Sequence, residues 1–127
     1  MSTLNVSNIT DGTTTVGTSY VVNGSAKAWV NFNGTGTIAA RDSLNLSSLT
    51  DNGTGAYSVN LTSSFANANY ATTSAASRSA SNLLGGLQTH SSSGTATTSG
   101  FTLSLYAYVA SSADFPYIGT ASFGELA

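Results

Sequence analysis

Few side chains in this 127-residue chain could do acid–base or metal chemistry. They are Asp11, Asp42, Asp51, Asp114, Glu125, Lys27, Arg41, Arg78 and a single histidine, His90. A general base needs a nucleophile within hydrogen-bond reach and a third group to orient it. Serines flank His90, but the Gly-x-Ser-x-Gly turn that presents a nucleophilic serine is absent, so His90 reads as a loop histidine. Glycoside hydrolysis wants two carboxyl groups about 5 to 9.5 Å apart across a sugar ring. Asp42 and Asp51 are the pair that could meet, and nothing in their spacing requires it. Asp51-Asn52-Gly53 reads as a turn, where Asp and Asn side chains bond nearby backbone. Calcium would want roughly six to eight oxygens, several of them from carboxylates. With no cysteine, disulfide frameworks and thiolate zinc sites are excluded. The residues assign no catalytic, cofactor-binding or metal-ligating role, and an enzyme such as a depolymerase is the reading they favour least.

The aromatic side chains carry the remaining chemistry. Trp29, Tyr106, Tyr108 and Tyr117 could form a surface on which sugar rings stack. The alternative is packing, in the core or between subunits, because Trp and Tyr supply the largest buried areas. Seven Asn-x-Ser/Thr triplets, among them those at Asn5, Asn23, Asn33 and Asn60, match the glycan-acceptor pattern. That number is expected in a chain with 11 Asn and 41 Ser plus Thr.

Composition bounds the partners and the core. Three cations cannot neutralise a run of phosphates, so nucleic acid is excluded as a partner. No window approaches 18 consecutive apolar residues, so membrane insertion is not expected. Residues 1–5 lack the basic and apolar regions of a secretory signal. Leu, Ile, Val and Phe total 26, and 17 of the other apolar residues are alanine. Large groups to fill a core are scarce, and burial stabilises by only about 0.8 kcal/mol per methylene. Such a chain gains from tight sheet packing and from subunit contacts. A net charge of −2 also gives little colloidal repulsion, which suits a protein held in an assembly.

The elements that must position these residues are strands. Ser, Thr, Asn and Gly have low helix propensity. Period-two alternation marks Ala26, Ala28, Val30 and Phe32, then Leu44 and Leu46, then Tyr57, Val59 and Leu61, and then Phe101 through Val109. Asn33-Gly34-Thr35-Gly36 and Asp51-Asn52-Gly53-Thr54-Gly55 read as hairpin loops, since Asn and Gly accept positive φ. Ser91-Ser92-Ser93-Gly94 is a third break. Pro116 falls between strands, where it costs no ladder bond. Residues 74–87 read as a loop or strand ends rather than a helix, given Gly85-Gly86. Short strands at this spacing predict an all-β fold, an antiparallel β-sandwich over residues 25–127. Residues 1–24 read as a short extended N-terminal arm for attachment or strand exchange. The arm would hold a strand with Leu4, Val6 and Ile9, a turn at Asp11-Gly12, a second strand at Tyr20-Val21-Val22, and a linker. Leu4, Val6 and Ile9 are the expected contacts with other chains, because uncovered apolar strand edges invite association.

Several strings resemble a module of bacteriophage tail fibres and related virion surface proteins. They are Ala26-Lys27-Ala28-Trp29-Val30-Asn31-Phe32-Asn33-Gly34-Thr35-Gly36, Arg41-Asp42-Ser43, Asn45-Leu46-Ser47-Ser48-Leu49-Thr50-Asp51-Asn52-Gly53-Thr54-Gly55-Ala56-Tyr57, Phe65-Ala66-Asn67-Ala68-Asn69-Tyr70, and the end of the chain from Pro116-Tyr117 through Phe123-Gly124-Glu125-Leu126-Ala127. The resemblance spans residues 26–127, with 71–100 departing most and expected to hold variable loops. It implies a C-terminal β module, a homotrimer, no catalytic residues and a place on the virion exterior, for host attachment through a surface glycan or receptor. Other virion proteins would be met through the arm. A fibre normally carries a long shaft, and only some 24 residues precede the module here. A short fibre, a tip subunit and a capsid decoration protein (cement or head-fibre) therefore all fit. A free carbohydrate-binding or adhesin domain is the second alternative.

Overall fold

The computed structural model describes residues 1–77, 86–89, 96–106 and 112–127, with side chains described outside 86–89. His90, Arg78, Tyr108 and the break at 91–94 lie outside the described residues. The described strands are β1 (Asn8–Thr10), β2 (Thr15–Gly17), β3 (Ala26–Asn33), β4 (Ala39–Leu44), β5 (Leu46–Gly53), β6 (Ala56–Leu61), β7 (Ala71–Ser77), β8 (Gly86–Thr89), β9 (Gly100–Tyr106) and β10 (Tyr117–Phe123). One helix, α1 (Thr18–Gly24), follows β2.

The fold is all-β and antiparallel, as the alternation predicts. One four-stranded sheet runs β4-β3-β10-β7 and a second runs β5-β6-β9-β8. Their inner faces share one core. Ala28, Val30, Phe32 and Ile118 from the first sheet meet Tyr57, Val59, Leu61, Phe101, Leu103 and Leu105 from the second. The rings of Phe32 and Tyr57 meet edge to face across the sheets, 5.4 Å between centroids. Phe65 and Tyr70 stack at 4.1 Å. They close one end of the core, and Tyr70 meets Phe101 edge to face. Aromatic rings thus share the described core with Val, Leu and Ile side chains and carry the larger area per residue.

The alternation of Leu44 and Leu46, read as one strand, is broken at Asn45. Asn45 sits at φ 60, and the chain passes there from the first sheet into the second. Its side chain brackets Ser63, accepting from the Ser63 N–H at 2.7 Å and donating to the Ser63 carbonyl at 3.0 Å. Asparagine is among the side chains that tolerate this left-handed backbone, and the two bonds hold the corner.

Two further expectations are corrected. Tyr20-Val21-Val22 is helical, and the second arm strand lies earlier, at Thr15–Gly17. A third strand at Tyr20 would lack a paired neighbour, whereas a helical turn satisfies its backbone groups internally, as in the Ser25 N–H to Val21 carbonyl bond. Residues 71–77, expected in a stretch of variable loops and from 74 on as a loop or strand ends, form a full strand paired with β10 along its whole length from Tyr117↔Ser77 to Phe123↔Ala71. Its inward residues, Thr72, Ser74 and Ala76, are too small to give an apolar alternation. The Thr72 and Ser122 hydroxyls bond each other at 2.9 Å, while the buried Ser74 hydroxyl has no partner.

Candidate functional site

Three places in the molecule bring together side chains with functional potential. The first is a buried polar knot. Tyr57 is fully buried, with its phenol oxygen 2.7 Å from Asp114 Oδ1 and 2.9 Å from the Gly34 carbonyl. The same carboxylate oxygen accepts the Gly55 N–H at 2.7 Å. Burial raises the Tyr57 phenol well above its ordinary value, and the hydrogen bond to Asp114 and the charges of Asp114 and Asp51 push the same way. The phenol is therefore a fixed donor, not a base. The arrangement ties the β3–β4 turn, the β5–β6 turn and the approach to β10 together. Gly34 and Gly55 leave room for it: a Cβ on Gly34 would meet the Tyr57 hydroxyl at 2.6 Å, and one on Gly55 would meet backbone of Leu105 and Ala113. Gly55 also takes φ +71 in the hairpin loop.

The second place is the outer face of the first sheet. Antiparallel register aligns Trp29 with Ala121 and Ala121 with Thr73, and one step along it aligns Asn31 with Gly119 and Gly119 with Ala75. Successive side chains on one face are about 6.6 Å apart along a strand. These six residues line an open depression of about 430 Å³. Trp29 is half-buried and forms one wall. Gly119 forms the floor, where a Cβ would meet nothing within 4 Å. Beyond it the Arg41 guanidinium lies over the Tyr117 ring, 4.7 Å from its centroid. Arg41 Nη1 donates to Asn31 Oδ1 at 3.1 Å and Nη2 donates to the Pro116 carbonyl.

The third place is the arm. No residue from 1 to 24 is buried. Leu4 is 82% exposed, and Val6, Ile9, Val16, Tyr20, Val21 and Val22 are exposed with it. Asp11 caps the β1–β2 turn, accepting from the N–H groups of Thr14 (2.8 Å) and Thr13 (3.0 Å) and from the Thr13 hydroxyl. These bonds, the Thr14 N–H first, hold its carboxyl below the ordinary value. Thr18 ties the hairpin to the preceding chain through its N–H to Ser7 O at 2.9 Å.

No protein family, curated protein or solved structure matches the chain. The site is therefore read from geometry. Of the sequence-predicted residues, Leu4, Val6 and Ile9 are uncovered on the arm. Trp29 lies outside the core, on the sheet's outer face. Tyr106 is half-buried at the end of β9 in the other sheet, so Trp29 and Tyr106 do not form one platform. Tyr108 lies outside the described residues. The residues that surround Trp29, namely Asn31, Thr73, Ala75, Gly119 and Ala121, come from three strands distant in sequence. The only hint of them was the small-residue spacing Gly119-x-Ala121, which becomes meaningful once the register is known. Among the described residues no three or more His, Cys, Asp or Glu side chains cluster, and no helix is long and apolar enough to cross a membrane.

Proposed function

We propose that this chain is a non-enzymatic structural protein of a bacteriophage virion. Its β-sandwich is displayed on the particle exterior as a homotrimer, for host attachment, and its arm is seated on neighbouring chains. The observation that carries this reading is the arm. It holds eight exposed large apolar side chains, Met1, Leu4, Val6, Ile9, Val16, Tyr20, Val21 and Val22, and it buries none. Two strands of three residues do not stand alone in water, and a seven-residue helix is far below the length that is stable by itself. An element with so little internal support gains its stability from what covers it. A surface of low charge and a strand-rich body suit a part fixed in a repeating exterior. The particle-level test is imaging of virions with a labelled chain. Label at the tail tip supports host attachment, label on the head replaces it with capsid decoration, and absence of label from particles overturns the virion reading.

A second reading, a free carbohydrate-binding or adhesin domain, is favoured by one observation: the depression beside Trp29 on the outer sheet face.

A further inference from the structure

We infer that the outer face of the β4-β3-β10-β7 sheet is a binding site for a neutral saccharide, with one pyranose ring lying over Gly119 against Trp29. The inference deepens the carbohydrate-binding reading and rests on that reading alone. It holds whether or not the chain belongs to a virion.

Three properties of the depression select this ligand class. The first is charge: among the described residues no charged side chain lines it, which disfavours phosphate and carboxylate ligands. Arg41, which donates to the lining residue Asn31, is also engaged with Tyr117 and Pro116. The second is the pattern of surfaces. Trp29, Ala75, Ala121 and the bare Gly119 offer apolar area, while Asn31 and Thr73 offer an amide and a hydroxyl at the rim. A pyranose has the same two-sided character, with C–H groups on its faces and hydroxyls around its edge. Its C–H face suits an indole, whose π-cloud is negative, and its edge suits the amide and the hydroxyl. Flat floors of this kind need a residue without a side chain, and Gly119 supplies it between two occupied rows.

The third property is position. β3 and β10 are central strands, with ladder partners on both sides. Their backbone donors and acceptors are spent, so a peptide cannot be bound here by strand addition, which needs a free edge. What remains available is side-chain surface about two residue steps long, roughly 7 Å along the strands. That matches one ring better than an extended chain. A volume of about 430 Å³ also falls in the range of small-molecule sites, roughly 300 to 1,000 Å³.

Trp29 is the only tryptophan in the chain, so its fluorescence reports this face directly. The test titrates the full chain with methyl glycosides of glucose, galactose, mannose and N-acetylglucosamine, and with lactose, cellobiose and chitobiose, into the millimolar range. The inference predicts a saturable change in emission with at least one of them. It also predicts loss of that change in Gly119→Val, a variant that fills the floor in open space and places a strand-favouring residue in a strand. The melting temperature of Gly119→Val should equal or exceed that of the parent. If this variant fails to fold, Trp29→Phe followed by calorimetry decides, with weakened binding expected. Absence of any saturable change overturns the inference. So does a change that survives in Gly119→Val, because the sugar then binds elsewhere. A change in emission with chain concentration alone also overturns it, because a second copy then covers the face. Virion labelling is unaffected by these outcomes, so failure here is distinct from failure of the virion reading.

Discussion

The arm and the sandwich are written in the same alphabet of Thr, Ser, Asn, Gly and a few apolar residues, yet they differ in where the apolar groups go. In β3, β6 and β9 the apolar residues alternate, and the described inward ones, Val30, Phe32, Tyr57, Val59, Leu103 and Leu105, are fully covered. In the arm, Leu4, Val6, Ile9 and Val16 are as apolar and remain in water. The difference is not propensity. A strand is stabilised by what faces it, and the sandwich supplies a second sheet where the arm supplies only its own three-residue partner. The described inward side chains of the sandwich are covered within one chain. The arm leaves its large apolar side chains uncovered.

The largest effect should come from breaking the sandwich side of this contrast. Phe32→Ala removes a fully buried ring that faces Tyr57 and should cost about 3–5 kcal/mol, read as a collapse of the denaturant midpoint. The same truncation at Leu4 should leave the midpoint unchanged. Asp114→Ala comes next. It strips the acceptor from the Gly55 N–H, while the Tyr57 phenol keeps the Gly34 carbonyl, and leaving one such group unpaired costs about 1–3 kcal/mol. An equally large loss from Asp11→Ala in the arm would contradict the contrast.

Alkaline pH should separate the regions further. Burial pushes the Tyr70 phenol up to about 12 from 10.0, and Tyr57 is raised further. A folded-state value above the unfolded one means that the contribution is fully present below pH 10. It is lost as pH climbs from 10 toward 12. Thermal melts across that window should fall steeply, and Tyr70→Phe should fall less steeply. Acid should act on the arm instead. The Asp11 carboxyl is held below 3.8, so its capping bonds persist above that pH and are lost as pH falls through the lowered folded value. The Thr13 and Thr14 amide resonances should move there while those of β3 and β10 stay in place.

Much of the sandwich was legible in the sequence because its strands carry large residues at alternate positions and its turns carry Asn and Gly. The inward faces of β3, β6 and β9 and the two hairpin loops follow from that. What was hidden lacks such a signal. β7 turns Thr72, Ser74 and Ala76 inward and reads as loop. Asn45 interrupts a run that still alternates on paper, because a change of sheet leaves no mark on the period of two. α1 is made of strand-forming residues, Tyr20, Val21 and Val22, whose helical state reflects the lack of a strand to pair with. The depression beside Trp29 exists only through cross-strand register. Leu4, Val6 and Ile9 were legible as residues with no core to enter, and they are exposed in the arm.

The central proposal is that the arm is covered by neighbouring chains, in the homotrimer by other copies of this one. Sedimentation velocity of the full chain and of a version lacking residues 1–24, each across the micromolar range, tests it most directly. The account predicts a trimer for the full chain and a folded monomer for the truncated one. A full chain that stays monomeric throughout, or a trimer that survives loss of the arm, would contradict it.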